Sequence, residues 1–264
     1  MIPVLKRFLL LLSPSFFFSC ASAPDFYTAE NLSAKPFNQL DLAGNACGPA
    51  ALLNSYRFGS TRWRKLAQGP PESSDRDKIR AIARGPAMRE SSSLPGRARW
   101  SRNGINLSDL KDVANEIAYA QNLPPVRQET LFLKPGETQK SHLARVHSLL
   151  TRSLANGFPP IISIRRFVLR NNSWTAVQGH YVTVTSVQGR IPRGQDHFSV
   201  SYIDPWGGKK YEGIIKTYPE AFLADLPDKN ANLEAAFPAT TAGKRFVRKG
   251  EKNLLAMSGF LGRP

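Results

Sequence analysis

Residues 45–53 read Asn45-Ala46-Cys47-Gly48-Pro49-Ala50-Ala51-Leu52-Leu53. Alanine and leucine are strong helix formers, and Pro49 suits a first helical turn, where its missing N–H costs nothing. The stretch predicts a buried helix that opens near Cys47 and runs to about Tyr56. A cysteine at a helix mouth meets unpaired backbone N–H groups and the positive end of the helix dipole. Such a setting favours the thiolate, which is the nucleophilic form. Gly48 leaves space for an acyl carbonyl close to the backbone.

Two later stretches carry groups able to act on a thiolate. Gly179-His180-Tyr181-Val182-Thr183-Val184-Thr185 alternates and is β-branched, which predicts a core strand with an imidazole at its start. Such a histidine is either a general base and acid or a polar residue at a strand edge. Ser201-Tyr202-Ile203-Asp204-Pro205-Trp206-Gly207-Gly208 predicts a strand ending at Asp204, then a turn. An acid there either orients an imidazole or merely starts the turn.

The remaining pattern sets the fold class. Further strands are expected at 160–164, 198–203 and 210–216, with turns at Gln188-Gly189 and 205–208. Helices are expected at about 75–83, from a Ser108 cap to about 121, and from 141 to 156 with Gly157 as the stop. Helices first and antiparallel strands second define an α+β chain. Residues 60–104 are rich in Arg, Ser, Gly and Pro, and read as a partly ordered insertion near a cleft or as plain disorder. Residues 226–264 have no evident placement.

Cys, then His, then Asp, on a helix start, a strand and a strand end, is the order of the papain-like cysteine peptidase superfamily. The phrases NACGPAALLN, GHYVTVTSV and YIDPWGG resemble its bacteriocin-processing, double-glycine peptidase-like branch over about 36–57 and 155–215. The resemblance implies a papain-like domain over 37–225, with a basic insertion at about 60–105. Its helical part would carry the cysteine, and a C-terminal antiparallel sheet would carry His and Asp. It implies Cys47 as nucleophile, His180 as base and then acid, and Asp204 as the group that orients His180. It also implies an upstream glutamine that joins the cysteine N–H in an oxyanion hole. Gln39 matches best, and Asn38 and Asn45 are near enough to compete. Trp206 would shield the His180–Asp204 pair or serve only as a sheet-edge aromatic. No cofactor is implied. A peptidase working through a thioester acyl-enzyme is the first expectation. An acyltransferase or amidase of transglutaminase-like or phytochelatin-synthase-like kind is the second, and a surface binding protein on a peptidase fold is the third.

The N-terminus reads as an export signal. Lys6 and Arg7 precede the apolar run Phe8–Phe18, and small residues follow. Residues 1–19 are expected as a signal peptide, because Phe17-Phe18-Ser19-Cys20 resembles a bacterial lipobox with Cys20 as the lipidated residue. Residues 20–36 would then be a tether to the membrane of the cell envelope. The alternatives are secretion after cleavage at Ala21-Ser22-Ala23, or an uncleaved anchor. The chain has two cysteines, so acylation of Cys20 would leave Cys47 as the single free thiol.

Charge and spacing narrow the partners. The formal charge is +16, or +14 without residues 1–19, which attracts anionic envelope polymers or lipid heads. No nucleic-acid-binding module accompanies it, so a peptide or protein substrate is expected and nucleic acid is not. His142 and His147 stand five apart, which is not the spacing of a shared helix face. His197 lacks the preceding glycine and following β-branched run of His180. No metal-ligand spacing emerges.

Overall fold

A computed structural model describes residues 24–218 and 232–264. The N-terminal part runs β1 (Phe26–Thr28), α1 (Cys47–Phe58), α2 (Thr61–Arg64), α3 (Asp75–Arg84), β2 (Trp100–Ser101), β3 (Gly104–Ile105) and α4 (Leu107–Tyr119). It continues through β4 (Arg127–Thr130), α5 (Gln139–Ala155), β5 (Ile161–Arg170), β6 (Ser173–Gln188) and β7 (His197–Asp204). The chain then forms β8 (Lys209–Lys216), β9 (Glu234–Ala236) and β10 (Asn253–Gly262). The class is mixed α+β with a large antiparallel sheet.

The sheet closes on itself. Its path runs β6–β5–β10–β9–β8–β7, and β7 pairs back onto β6. β1 adds to β6 and β4 adds to β10, so every pairing in this sheet is antiparallel. Irregularities in register at Arg166/Phe167, Val184/Ser186 and Met257/Gly259 bend the long strands. Bulges of this kind increase twist and help a sheet curl. Closure also removes sheet edges that would otherwise present unpaired backbone groups.

Two cores flank β6. Ile164, Val182, Val184, Val200, Tyr202 and Met257 share one core with Leu143, Val146 and Leu150 of α5. The other joins α1, α2 and α4 through Leu52, Tyr56, Trp63, Leu110 and Val113, and includes Tyr181 of β6. Successive side chains of a strand point to opposite faces, so Tyr181 serves the helical core and Val182 the barrel.

α1 runs between these layers, with ten of its twelve residues buried. Small Ala50 and Ala51 let it lie close to β6, where Thr183 Oγ1 donates to the Ala51 carbonyl at 2.9 Å. Asn54 in its middle exchanges two hydrogen bonds with the Phe37 backbone. Arg57 near its end grips Asp75 of α3 through two bonds of 2.6 and 2.9 Å and lies over the Phe37 ring. The Arg57 guanidinium holds the Asp75 carboxyl below the usual carboxylate range, against a smaller opposing effect of burial. These ties set where the start of α1, and with it Cys47, can sit.

Several expectations change. The helix placed after a Ser108 cap begins at Leu107, capped by Asn106, whose side chain accepts from the Asp109 N–H at 2.8 Å. The strand expected to begin beside His180 starts at Ser173, and His180 is where burial along it sets in. Within the stretch read as a tether, residues 26–28 pair with 186–188 as β1. Residues 234–236 and 253–262, left without placement, form β9 and β10. The reason is pairing at long range, since β10 lies between β5 and β9 and its alternation is blurred by burial on both faces. Residues 60–105 hold the helix expected at about 75–83 as α3, and beyond it α2 and the β2–β3 hairpin. The signal peptide and Cys20 lie outside the described residues.

Candidate active site

Cys47 opens α1, and no side chain caps that start. The first bond of the helix runs from the Ala50 N–H to the Ala46 carbonyl, and Pro49 has no N–H to offer. The Cys47 and Gly48 N–H groups therefore face out of the helix mouth, as the first N–H groups of any helix must. Cys47 is a free thiol of intermediate exposure.

His180 and Asp204 meet through sheet register. β6 and β7 pair Val184 with Tyr202 and Thr183 with Ile203. One step further sets Asp204 opposite Val182 and makes His180 its diagonal neighbour on the same face. Diagonal neighbours lie within reach of long side chains. His180 Nε2 and Asp204 Oδ1 are 2.8 Å apart, and the two residues are 3% and 2% exposed. Asp204 Oδ1 also accepts from the Trp206 N–H at 2.9 Å, which fixes the carboxylate within its own turn.

Cys47 completes the group from the other layer. Burial alone would push the buried His180 imidazole down, but hydrogen bonds and charge from Asp204 and Cys47 outweigh it and raise it to about 9. With Nε2 committed to Asp204, Nδ1 is the ring nitrogen left for the sulfur. An imidazolium held between a carboxylate and a sulfur stabilises negative charge on that sulfur.

The turn after Asp204 is tied to the segment before Cys47. Gly207 and Gly208 have φ of +90° and +60°, a region that favours glycine. A Cβ on Gly208 would come within 3.1–3.3 Å of Asn38, which lies against it. Asn38 Oδ1 accepts from the Gly207 N–H, and the Gln39 N–H donates to the Pro205 carbonyl at 2.8 Å. Asn38 is thus a positioning residue. In the sequence it stands only as a competitor of Gln39 for the oxyanion hole.

Gln39 is fully buried, and its Nε2 donates to the Gly44 carbonyl at 2.5 Å. Its Oε1 is buried and lacks a hydrogen-bond partner among the described residues. Turning the amide over would set two oxygens against each other, so Gly44 fixes its orientation. Gln39 does not line the cleft in front of Cys47, whereas Asn45 does. The Asn45 Nδ2 is occupied by the Ser101 carbonyl at 2.8 Å.

That cleft has a volume of about 1020 Å³ and is bordered by Cys47, His180 and Trp206. The residues 100–105 hairpin forms one wall. Trp100 Nε1 donates to the Asn45 carbonyl at 3.2 Å, and Tyr181 OH donates to the Ile105 carbonyl at 3.1 Å. A Cβ on Gly48 would meet Ile105 at 2.3 Å, so glycine is what lets this hairpin close on α1. Trp206 is 39% exposed and packs over Gly44 at the cleft rim. Arg245 and Phe246 form part of the far wall. No feature of the sequence marked them, because they reach the cleft only through the β9–β10 connection.

The other histidines stand apart. His142 is buried on α5, His147 Nε2 lies 2.7 Å from the Gln188 carbonyl, and His197 Nδ1 lies 2.9 Å from exposed Asp196. Among the described residues, no three His, Cys, Asp or Glu side chains gather as metal ligands would. Comparison of the sequence with protein-family models gives no match, and comparison with curated proteins gives none.

Proposed function

We propose that this chain is a papain-like cysteine hydrolase, a peptidase that works through a thioester acyl-enzyme, with Cys47, His180 and Asp204 as its triad. The observation that carries the reading is the buried His180 ring, bonded to Asp204 at 2.8 Å and facing Cys47 at the mouth of an uncapped helix. A structural histidine at a strand edge has no need of both partners.

The chemistry follows from those positions. The Cys47 thiolate attacks the carbonyl carbon of a peptide bond, and the carbonyl oxygen takes the negative charge. The Cys47 N–H faces that oxygen, while Gln39, buried behind the cleft with its Nε2 on the Gly44 carbonyl, is not placed to add a second donor. The His180 imidazolium gives its proton to the leaving amine, the C–N bond breaks, and a thioester remains. Neutral His180 then takes a proton from water, whose oxygen attacks the thioester, releasing the carboxylic acid and the Cys47 thiolate. Asp204 holds the ring and stabilises the imidazolium throughout. We place this activity outside the cytoplasm, in the bacterial envelope, on the signal-like residues 1–19 and lipid-ready Cys20.

The test is hydrolysis of unfolded protein and peptide mixtures by purified protein, read by mass spectrometry. Cys47→Ala and His180→Ala each abolish it, and hydroxylamine diverts the acyl product to a hydroxamate. Undiminished hydrolysis by Cys47→Ala would sink the reading. Cys20→Ser removes fatty-acid labelling and membrane association, and unchanged labelling would refute the anchor.

A further inference from the structure

The cleft walls are strongly basic in a way the triad does not require. Arg97 and Arg102 come from the 60–105 insertion, and Arg245 comes from the C-terminal segment. None of these three has an ion-pair partner among the described residues, whereas Arg99, also on the lining, pairs with Glu116 at 2.8 Å. The Arg97 guanidinium donates to the Ser101 hydroxyl at 3.5 Å, and Arg245 rests over the Phe246 ring at 4.7 Å. A guanidinium held over an aromatic face is partly preorganised. With Arg99 and Arg165 the described lining holds five guanidinium groups, of which the proposal uses only Arg97, Arg102 and Arg245. Among the described residues the one acid on the wall is Asp109, 1% exposed, whose carboxylate accepts from Ser91 Oγ and Asn106 Nδ2, each at 2.7 Å. The outward charge of the cleft is therefore positive, and it comes from segments far apart in sequence.

We propose that the cleft selects acidic peptide segments, with Arg97, Arg102 and Arg245 binding Asp or Glu side chains that flank the bond Cys47 attacks. This inference rests on the hydrolase reading above, and it names the substrate class that reading leaves open. A peptide is favoured over a phosphate polymer because the reacting groups need an acyl carbon between the charges. Arginine also matches carboxylates through two parallel N–H donors.

The experiment labels Cys47 with peptidyl vinyl sulfones bearing Glu-Glu, Gln-Gln or Lys-Lys, at low and high salt, with iodoacetamide in parallel. The Glu-Glu probe labels roughly tenfold faster than Gln-Gln at low salt, since two exposed arginine–carboxylate contacts of ordinary strength amount to that. Lys-Lys is slower still. Replacing Arg97, Arg102 and Arg245 by Gln equalises the Glu-Glu and Gln-Gln rates and leaves the iodoacetamide rate unchanged. Replacing Arg152, Arg190 and Arg193, exposed residues outside the cleft lining, removes the same charge and keeps the preference. Equal Glu-Glu and Gln-Gln labelling with brisk iodoacetamide labelling overturns the acidic-substrate inference alone. Equal loss in both triple variants overturns it too, by assigning the preference to overall charge. Protection of Cys47 by polyphosphate but not by polyglutamate overturns the peptide assignment. Iodoacetamide labelling indifferent to His180→Ala defeats the hydrolase reading, and this inference with it.

Discussion

Asp204→Asn tests how much of the site depends on one carboxylate. Asparagine keeps the size of the side chain and an oxygen for the Trp206 N–H, so the turn can hold. What it removes is the negative charge 2.8 Å from His180 Nε2. His142 shows what burial does to an imidazole in this chain when no carboxylate outweighs it, for burial, with Arg145 adding to it, pushes it down to about 4. His180, buried as well, is raised to about 9 by Asp204 and Cys47 together. A hydrogen bond to a charged partner contributes about 1.5–3 kcal/mol, and 1.36 kcal/mol shifts a titration by one pH unit. Removing Asp204 should therefore lower the pH at which His180 loses its proton by about one to two units. The assay is the rate of Cys47 alkylation by iodoacetamide across pH. Protonated His180 holds the thiolate, and in the wild type it persists until pH rises through about 9. At about pH 8, where His180 keeps its proton in the wild type and has lost much of it in the variant, the variant should react roughly 2- to 10-fold more slowly. Above about pH 10 the two should converge, since His180 is then neutral in both. Equal rates at about pH 8 would refute the reasoning, because Asp204 would then not govern the ring. A slowing equal at every pH would refute it as well, by pointing to a misfolded site.

Gln39→Ala removes the bond to the Gly44 carbonyl that holds the segment before Cys47, so peptide hydrolysis and Cys47 alkylation should fall together. Hydrolysis cut by about 10²–10³-fold with alkylation unchanged would assign Gln39 to the oxyanion hole instead. Phe260→Ala in β10, at a side chain 1% exposed, should destabilise the fold by about 3–5 kcal/mol in urea denaturation, against almost nothing if the C-terminal segment were an appendage. His142 is held neutral by burial, so its contribution to stability is complete above about pH 6.5 and is lost as pH falls toward about 4. His142→Leu should therefore flatten the loss of stability between about pH 6.5 and 4 in denaturant titrations. An unchanged acid slope would show that other groups set it.

Local chemistry was readable directly. The Ala-Leu run and Pro49 mark α1 and put Cys47 at its mouth, because helix propensity and the first-turn tolerance of proline act within a few residues. The β-branched alternation from Tyr181 marks a strand, and paired glycines after Asp204 mark a turn that needs positive φ. The closed sheet was not readable, because it depends on partners far apart in the chain. Leu254 pairs with Phe167 and Ala256 with Glu234, and nothing in either segment names its partner. A strand buried on both faces also loses the alternation that would announce it.

The sequence by itself determined the side-chain types, Cys47, His180 and Asp204, and the local element that carries each. Only the tertiary structure decided that they meet. The β6–β7 register sets the His180–Asp204 diagonal, and packing of α1 against β6 brings the sulfur to the ring. It also decided that arginines from residues 97, 102 and 245 share one cleft. The physical reason is the same in each case. Propensity acts between neighbours in sequence, while proximity across a fold follows from how buried faces and sheet edges satisfy one another.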